Sequence, residues 1–300
     1  MSLLIEVPYA GAANDYLYAR ICARRAELAS GGLFRKSGSN EPRQALMAEY
    51  RWVYRQANAK LRNKLLPIFE YCELRLLVMA LRYLAAGERE ALSGQLQQSL
   101  LQEKVIRVVE TAEQPVEALR CLQREYAEEY PFFDRLPTRY LRQGPGGLEQ
   151  ELIGGYLQQS CRSCRDQAVK RFLLYLLDMR NLQALRKHLR WQVPVTPPLL
   201  EGGSLEPGLL QKIWQQRDAA ALLTLMRRYA RQRQLPLEDA DEEYLLQGLT
   251  DRLRQAGREP LQLGVVIDYL WRCWLAAREQ GVRIFEEQTS VTPQAAEVQG

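Results

Sequence analysis

The chain has 300 residues, 47% of them apolar and 26% charged, with 41 basic against 36 acidic residues and a formal net charge of +5. That length supports one large core or two to three small units, and the composition excludes disorder of the whole chain. The mild positive charge is far from that of a dedicated nucleic-acid arm; it permits an acidic partner without demanding one.

Leu, Ala, Gln, Arg and Glu fill most windows, so helix formers dominate and an all-α fold is expected. The strand-like stretches are Ser2–Val7 and Lys104–Val109, and the second fits a helix as well. A first helix is predicted over Asn14–Ala29, capped by Asn14 or Asp15 and stopped by Gly31-Gly32. After a polar loop at Arg35–Asn40, a second helix starts near Glu41-Pro42, and Pro67 is expected to break or kink the chain. Leu74, Leu77, Val78, Leu81 and Leu84 then recur at helical spacing up to Gly87. Helices are predicted over Glu88–Glu110 and Val116–Tyr130, a loop over the Pro- and Gly-rich Pro131–Gly147, and helices over Leu148–Gln159 and Cys164–Arg190. Pro194–Gly208 reads as the clearest linker. Four further helices are predicted: Leu209–Gln216, Asp218–Gln234, Leu237–Ala256 and Pro260–Gln280, with a frayed tail beyond Glu287.

Three apolar helices, each opened by a tyrosine, begin at Tyr71, Tyr175 and Tyr269, roughly one hundred residues apart. They read YCELRLLVMALRYL, YLLDMRNLQALRKHL and YLWRCWLAAREQGV; with the tyrosines aligned, Leu81 matches Leu185 and Arg82 matches Arg186. The expected organisation is three similar helical-bundle units at residues 1–105, 106–205 and 206–300, the last one degenerate.

Motifs for chemistry are weak. His188, the single histidine, sits in the basic run Arg186-Lys187-His188 near a helix end, a place suited to the helix dipole. The six cysteines are scattered, and with no secretory leader expected at Met1–Ala13 they read as reduced cytoplasmic thiols. Cys161 and Cys164 form a lone CxxC without the second ligand pair that zinc needs. No Gly-rich phosphate cradle is followed by Lys-Ser/Thr. The most apolar stretches, Leu74–Leu84 and Phe172–Leu177, are short of the about 20 residues of a bilayer span. No catalytic residue, cofactor or metal is therefore expected.

Basic residues outnumber acidic ones over Arg162–Arg190 and Lys212–Arg233. In the second stretch, Leu222, Leu225, Met226 and Tyr229 line one face while Arg227, Arg228 and Arg231 flank or oppose it. Such a face suits nucleic acid or an acidic protein surface, and equally a solvated amphipathic helix. Asp178 shares a stripe with Leu182, Leu185 and Leu189 directly after an all-apolar turn. A carboxylate there needs a partner, and an arginine from another helix is expected.

Tyr175, Asp178, Asn181, Leu182 and Leu185, with Arg186 adjacent, carry a Tyr-x-x-Asp-x-x-Asn-Leu pattern. It resembles a repeat signature of the C-type subunits of archaeal and bacterial V/A-type rotary ATPases, which are equivalent to the d-type subunits of vacuolar proton pumps. Tyr16, Tyr18, Ala19 and Arg20 resemble the opening helix of the same family. The first tyrosine helix departs from the pattern with Leu74 and Leu77, and the third with Arg278-Glu279-Gln280. The resemblance implies a pseudo-threefold funnel of helical units and a non-catalytic socket on the cytoplasmic face of a membrane complex. Its partners would be the central shaft and the membrane rotor ring. The competing expectation is a helical module that binds nucleic acid or an acidic protein through its basic faces.

Overall fold

The computed structural model describes residues 2–30, 42–97, 99–231 and 241–291. The expected helix stop at Gly31-Gly32, the loop at Arg35–Asn40, Arg233, and the helix ends expected at Gln234 and Leu237 lie outside them. Among the described residues are twelve α-helices, one 3-10 helix and no strand beyond a single isolated bridge. The helices are α1 (Asn14–Ala29), α2 (Pro42–Gln56), α3 (Ala59–Ala86), α4 (Arg89–Leu96), α5 (Glu103–Thr111) and α6 (Pro115–Tyr126). After a 3-10 turn (Pro131–Arg135) come α7 (Leu136–Ser163), α8 (Gln167–Arg190), α9 (Pro207–Gln215), α10 (Ala219–Ala230), α11 (Asp241–Ala256) and α12 (Leu263–Val291). The all-α expectation holds. No helix among the described residues is long and apolar enough to cross a membrane.

By contacts the chain divides into two compact units, residues 1–7 with 62–252, and residues 8–61 with 253–300. These boundaries differ from the consecutive thirds at 105 and 205. The reason is non-local: α12 packs on both α1 and α2, so helices from the two ends of the sequence share one core. In that unit Leu17, Tyr18 and Ile21 of α1 and Tyr50, Val53 and Tyr54 of α2 are buried. The Tyr50 hydroxyl donates to the Leu270 carbonyl at 3.1 Å. Neither Asn14 nor Asp15 caps α1; its N-cap is Ala13. The Asn14 side chain instead accepts from Asn58 Nδ2 at 2.8 Å, and Asn58 Oδ1 accepts from the Leu61 amide at the start of α3.

The larger unit is assembled around α7 and α8, which pack on each other; α6 and the 3-10 turn pack on α7, and α9 and α10 on α8. Pro67 neither breaks nor ends α3 but lies inside it, and its carbonyl accepts from the Tyr156 hydroxyl at 3.1 Å. Leu74, Leu77, Leu81 and Leu84 are all buried as the helical spacing predicts, each contributing about 1.5–3 kcal/mol.

Three expectations fail here for identifiable reasons. The helix predicted over Glu88–Glu110 is two helices, separated by extended residues at 99–102. Glu73, buried on α3, accepts from the Ser99 hydroxyl at 2.6 Å and from the Leu100 amide at 3.0 Å. The freed backbone pairs with the N-terminal segment instead, Ile5 N to Leu100 O at 2.8 Å and Gln102 N to Leu3 O at 2.9 Å. Ser2–Val7 is thus strand-like only at this bridge, and Lys104–Val109 is helical. The loop predicted over Pro131–Gly147 is mostly helical as well: Pro131 and Pro137 occupy first-turn positions, where a missing amide costs nothing. The helical backbone of α7 is interrupted only at Gly144, in the left-handed region at φ 63°. Helix α12 continues past Glu287 to Val291.

Glu70, one residue before Tyr71, ties this unit together. It accepts from Tyr130 at 2.5 Å, Tyr156 at 2.8 Å and Ser2 at 3.3 Å. Burial pushes its carboxyl above the ordinary value, against the opposing pull of those three hydroxyls. Between the ordinary carboxyl pKa of about 4.3 and the raised folded value, the folded state holds a proton that the unfolded state has lost. The stabilising contribution of Glu70 is therefore fully present at acid pH and is lost as pH rises through the folded value. Urea denaturation of wild type and Glu70→Gln across this range should show the wild-type advantage shrinking as pH rises; a pH-independent difference would contradict it.

Candidate functional site

Helix α8 is N-capped by Asp166, whose carboxylate accepts from the Ala168 and Val169 amides and pairs with Lys64 at 3.2 Å. From that start the sequence brings Tyr175, Asp178, Asn181, Leu182 and Leu185 into the core, all of them buried. Arg186 is half-buried at the edge. Asp178 is 0% exposed, as its place on the stripe predicts.

Its partners correct the expectation of an arginine. Asp178 accepts from the Ser204 amide at 3.0 Å to both oxygens, from the Ser204 hydroxyl at 2.5 Å, from the Leu205 amide at 3.3 Å, and from the Tyr229 hydroxyl at 2.8 Å. Asn181, one turn further, grips the same segment, donating to Leu200 O at 2.8 Å and accepting from Leu200 N at 2.7 Å. Thus the stretch expected to be a linker, Pro194–Gly208, is a strap docked on α8. Backbone amides satisfy a carboxylate as well as a guanidinium does, and they reach Asp178 because the strap passes extremely close. A Cβ on Gly203 would stand 2.1 Å from Asp178 Oδ1. The arginine stands behind this layer: Arg252 lies over the rings of Tyr175 at 4.8 Å and Tyr229 at 5.1 Å and donates to the Tyr229 carbonyl. Tyr175 donates to Leu245 O at 2.9 Å, and burial raises its hydroxyl well above the usual value.

An arginine-paired buried aspartate does occur, at a position the sequence reading missed. Asp268, 0% exposed and one residue before Tyr269, receives Arg25 at 3.0 Å and Arg272 at 2.8 Å on Oδ2. Arg25 also donates to the Gly257 carbonyl. Glu49 works beside it, accepting from Arg24 at 2.6 Å and from the Tyr269 hydroxyl at 2.5 Å. A signal for Glu70 and Asp268 was available, since each directly precedes one of the repeated tyrosines, which lie inside their helices and do not open them as expected. Each of the three tyrosine-led helices therefore carries a buried tyrosine and a buried carboxylate, the acid at the same offset in the first and third and shifted in the second.

The N-terminal motif residues split. Tyr18 is buried, whereas Tyr16 is 57% exposed. The Arg20 guanidinium stands 5.7 Å from the Tyr16 ring and 5.1 Å from that of Trp52, and Arg24 stands 4.1 Å from Trp52. Of the basic residues on α10, Leu222 and Met226 anchor the buried face, Arg227 is half-buried, and Arg228 and Arg231 are exposed. Nucleophile chemistry finds no footing at the CxxC. Burial pushes the Cys161 thiol up to about 12, and the Cys164 thiol is raised too, so both are protonated at neutral pH. Among the described residues no three His, Cys, Asp or Glu groups are placed to hold a metal ion. His188 Nδ1 donates to the Ala184 carbonyl at 2.9 Å, and the ring meets that of Trp214 edge-on.

Removing the carboxylate in Asp178→Ala strands several strap donors, so the variant should lose about 3 kcal/mol or more. The loss reads out as a lower urea midpoint with faster amide exchange at Ser204 and Leu205. Gly203→Ala should do the same in weaker form by pushing the strap away. Unchanged protection at both amides would show that Asp178 does not hold the strap.

No curated protein and no solved structure matches the chain. Its sequence does match the family described as ATP synthase (C/AC39) subunit, over residues 39–273. That span runs from α2 into the first part of α12 and includes the docked strap and both buried aspartates. With well over half of its length matched, the chain belongs to the ATP synthase C/AC39 subunit family.

Proposed function

We propose that this chain is the non-catalytic connector of a V/A-type rotary ATPase, seated on the cytoplasmic face of the membrane rotor ring and receiving the foot of the central shaft. The observation that carries the reading is the family match over residues 39–273. The interior supports it. Glu70, Glu73, Asp178 and Asn181 spend their hydrogen-bonding capacity on segments of their own chain. A part that passes torque from shaft to ring needs this kind of internal bracing, which resists shear between helices. We also take the three tyrosine-led helices as copies of one ancestral unit. Arg228 and Arg231 are exposed cations suited to an acidic partner face.

The test is depletion and return. A rotary complex stripped of this subunit should hydrolyse ATP with little coupled ion movement. Adding the purified chain, which itself should not hydrolyse ATP, should restore the coupling. Failure to rebind, or full coupling without the chain, would defeat the reading. If the chain instead binds nucleic acid with an affinity that falls steeply with salt, its basic faces serve a different purpose.

A further inference from the structure

Helix α8 ends in an unusual surface. Trp191 is 67% exposed and Val195 68%, above every other large apolar side chain among the described residues. Trp191 does not sit on a loose loop. The Trp191 amide donates to Lys187 O at 3.0 Å, Gln192 to Leu189 O at 3.3 Å, and Val193 to His188 O at 2.9 Å. Gln192 adopts the left-handed region at φ 50° to close this turn. From the turn after α9, Arg217 donates to the Val193 carbonyl at 3.0 Å and stacks 3.5 Å over the Trp214 ring, whose edge faces His188. The turn is thus fastened to two helices while its tryptophan is left uncovered.

Around it stand Lys187, Arg190 and Arg217, all exposed and none with a carboxylate partner among the described residues. Lys187 and Arg190 offset the negative end of α8. Arg217 comes from a different element and has no such role there. A tryptophan on a fastened turn, flanked by exposed cations that have no carboxylate partner among the described residues, has the composition of an interface hot spot, an aromatic anchor beside a charged rim. Its fixed geometry keeps the ordering cost of binding small. One Trp and one Val offer too little apolar area to hold a bilayer surface by themselves.

We propose that the Trp191–Val195 turn, with Lys187, Arg190 and Arg217, is a docking knob for an acidic surface on another protein of the rotary complex. Trp191 fills an apolar pocket on the partner, and the three cations meet carboxylates at the pocket's rim. This rests on the connector reading above. The test uses the rotary complex stripped of this subunit and measures rebinding of the purified full chain. Trp191→Ala and the charge reversal Lys187→Glu with Arg190→Glu should each weaken rebinding by about tenfold or more. Trp191→Ala should keep the wild-type melting temperature, because its side chain is exposed; the charge reversal, which loses the favourable interaction with the negative end of α8, should lower it slightly, so rebinding is compared well below both melting transitions. Leu261→Ala, another exposed apolar position, should rebind like wild type. Full-affinity rebinding of both knob variants overturns the proposal and leaves the connector reading standing; no rebinding even by wild type overturns both. Wild-type cosedimentation with phosphatidylserine-containing vesicles that Trp191→Ala abolishes overturns the protein partner in favour of an anionic lipid surface.

Discussion

A carboxylate inside a helical core must be given donors, and much of this chain's path follows from that requirement. Glu73 takes an amide and a hydroxyl from residues 99 and 100, and the helix that local propensity favours there is broken into α4 and α5. Asp178 takes two amides and two hydroxyls, and the Pro/Gly stretch after α8 becomes a strap. Glu70 gathers hydroxyls from the N-terminal segment, from Tyr130 and from α7. Each leaves several kcal/mol at stake if its donors are withdrawn, so the acids act as assembly instructions as well as stabilisers.

The two buried aspartates solve the same problem with different chemistry. Asp268 is neutralised by two guanidinium groups on one oxygen, and its Oδ1 has no partner among the described residues. Asp178 is surrounded by neutral donors held in place by backbone geometry, with a cation only behind the tyrosine layer. Ion pairs with half-buried arginines tolerate rearrangement, because long side chains can follow a shift. Amides of a strap whose Gly203 passes directly against Asp178 cannot, since the approach leaves no room for even one added carbon. The middle tyrosine-led helix is accordingly the one whose surroundings are most tightly specified.

Much of this is legible in the residues. Helix α1 has the predicted bounds, α8 the predicted C-terminus, and the burial of Asp178 follows from its stripe. The failures have two causes. The first is proline: composition makes Pro131 and Pro137 look like loop formers, yet at a helix's first turn a proline is at home. Pro67 has the look of a breaker, yet it lies within α3. The second is distance along the chain. The donors to Asp178, the break at residues 99–102 and the grouping of α1 and α2 with α12 all depend on contacts between residues far apart in sequence. Local pattern carries no information about those. The buried acids Glu70 and Asp268 are readable in principle, because each precedes a tyrosine at the same offset in an apolar helix.

The packing of α12 on α1 and α2 sets a constraint on how the molecule is made. The apolar stripe of Leu17, Tyr18 and Ile21 is synthesised long before the helix that covers it, since α12 lies far downstream of α1. Until α12 emerges that stripe, together with Tyr50, Val53 and Tyr54, lacks its native cover, whereas the segments gathered around α7 and α8 can close as soon as α11 emerges. Contacts of such long range fold slowly and expose apolar surface while they wait. Nascent chains arrested before α12 should therefore be the species that holdase chaperones retain.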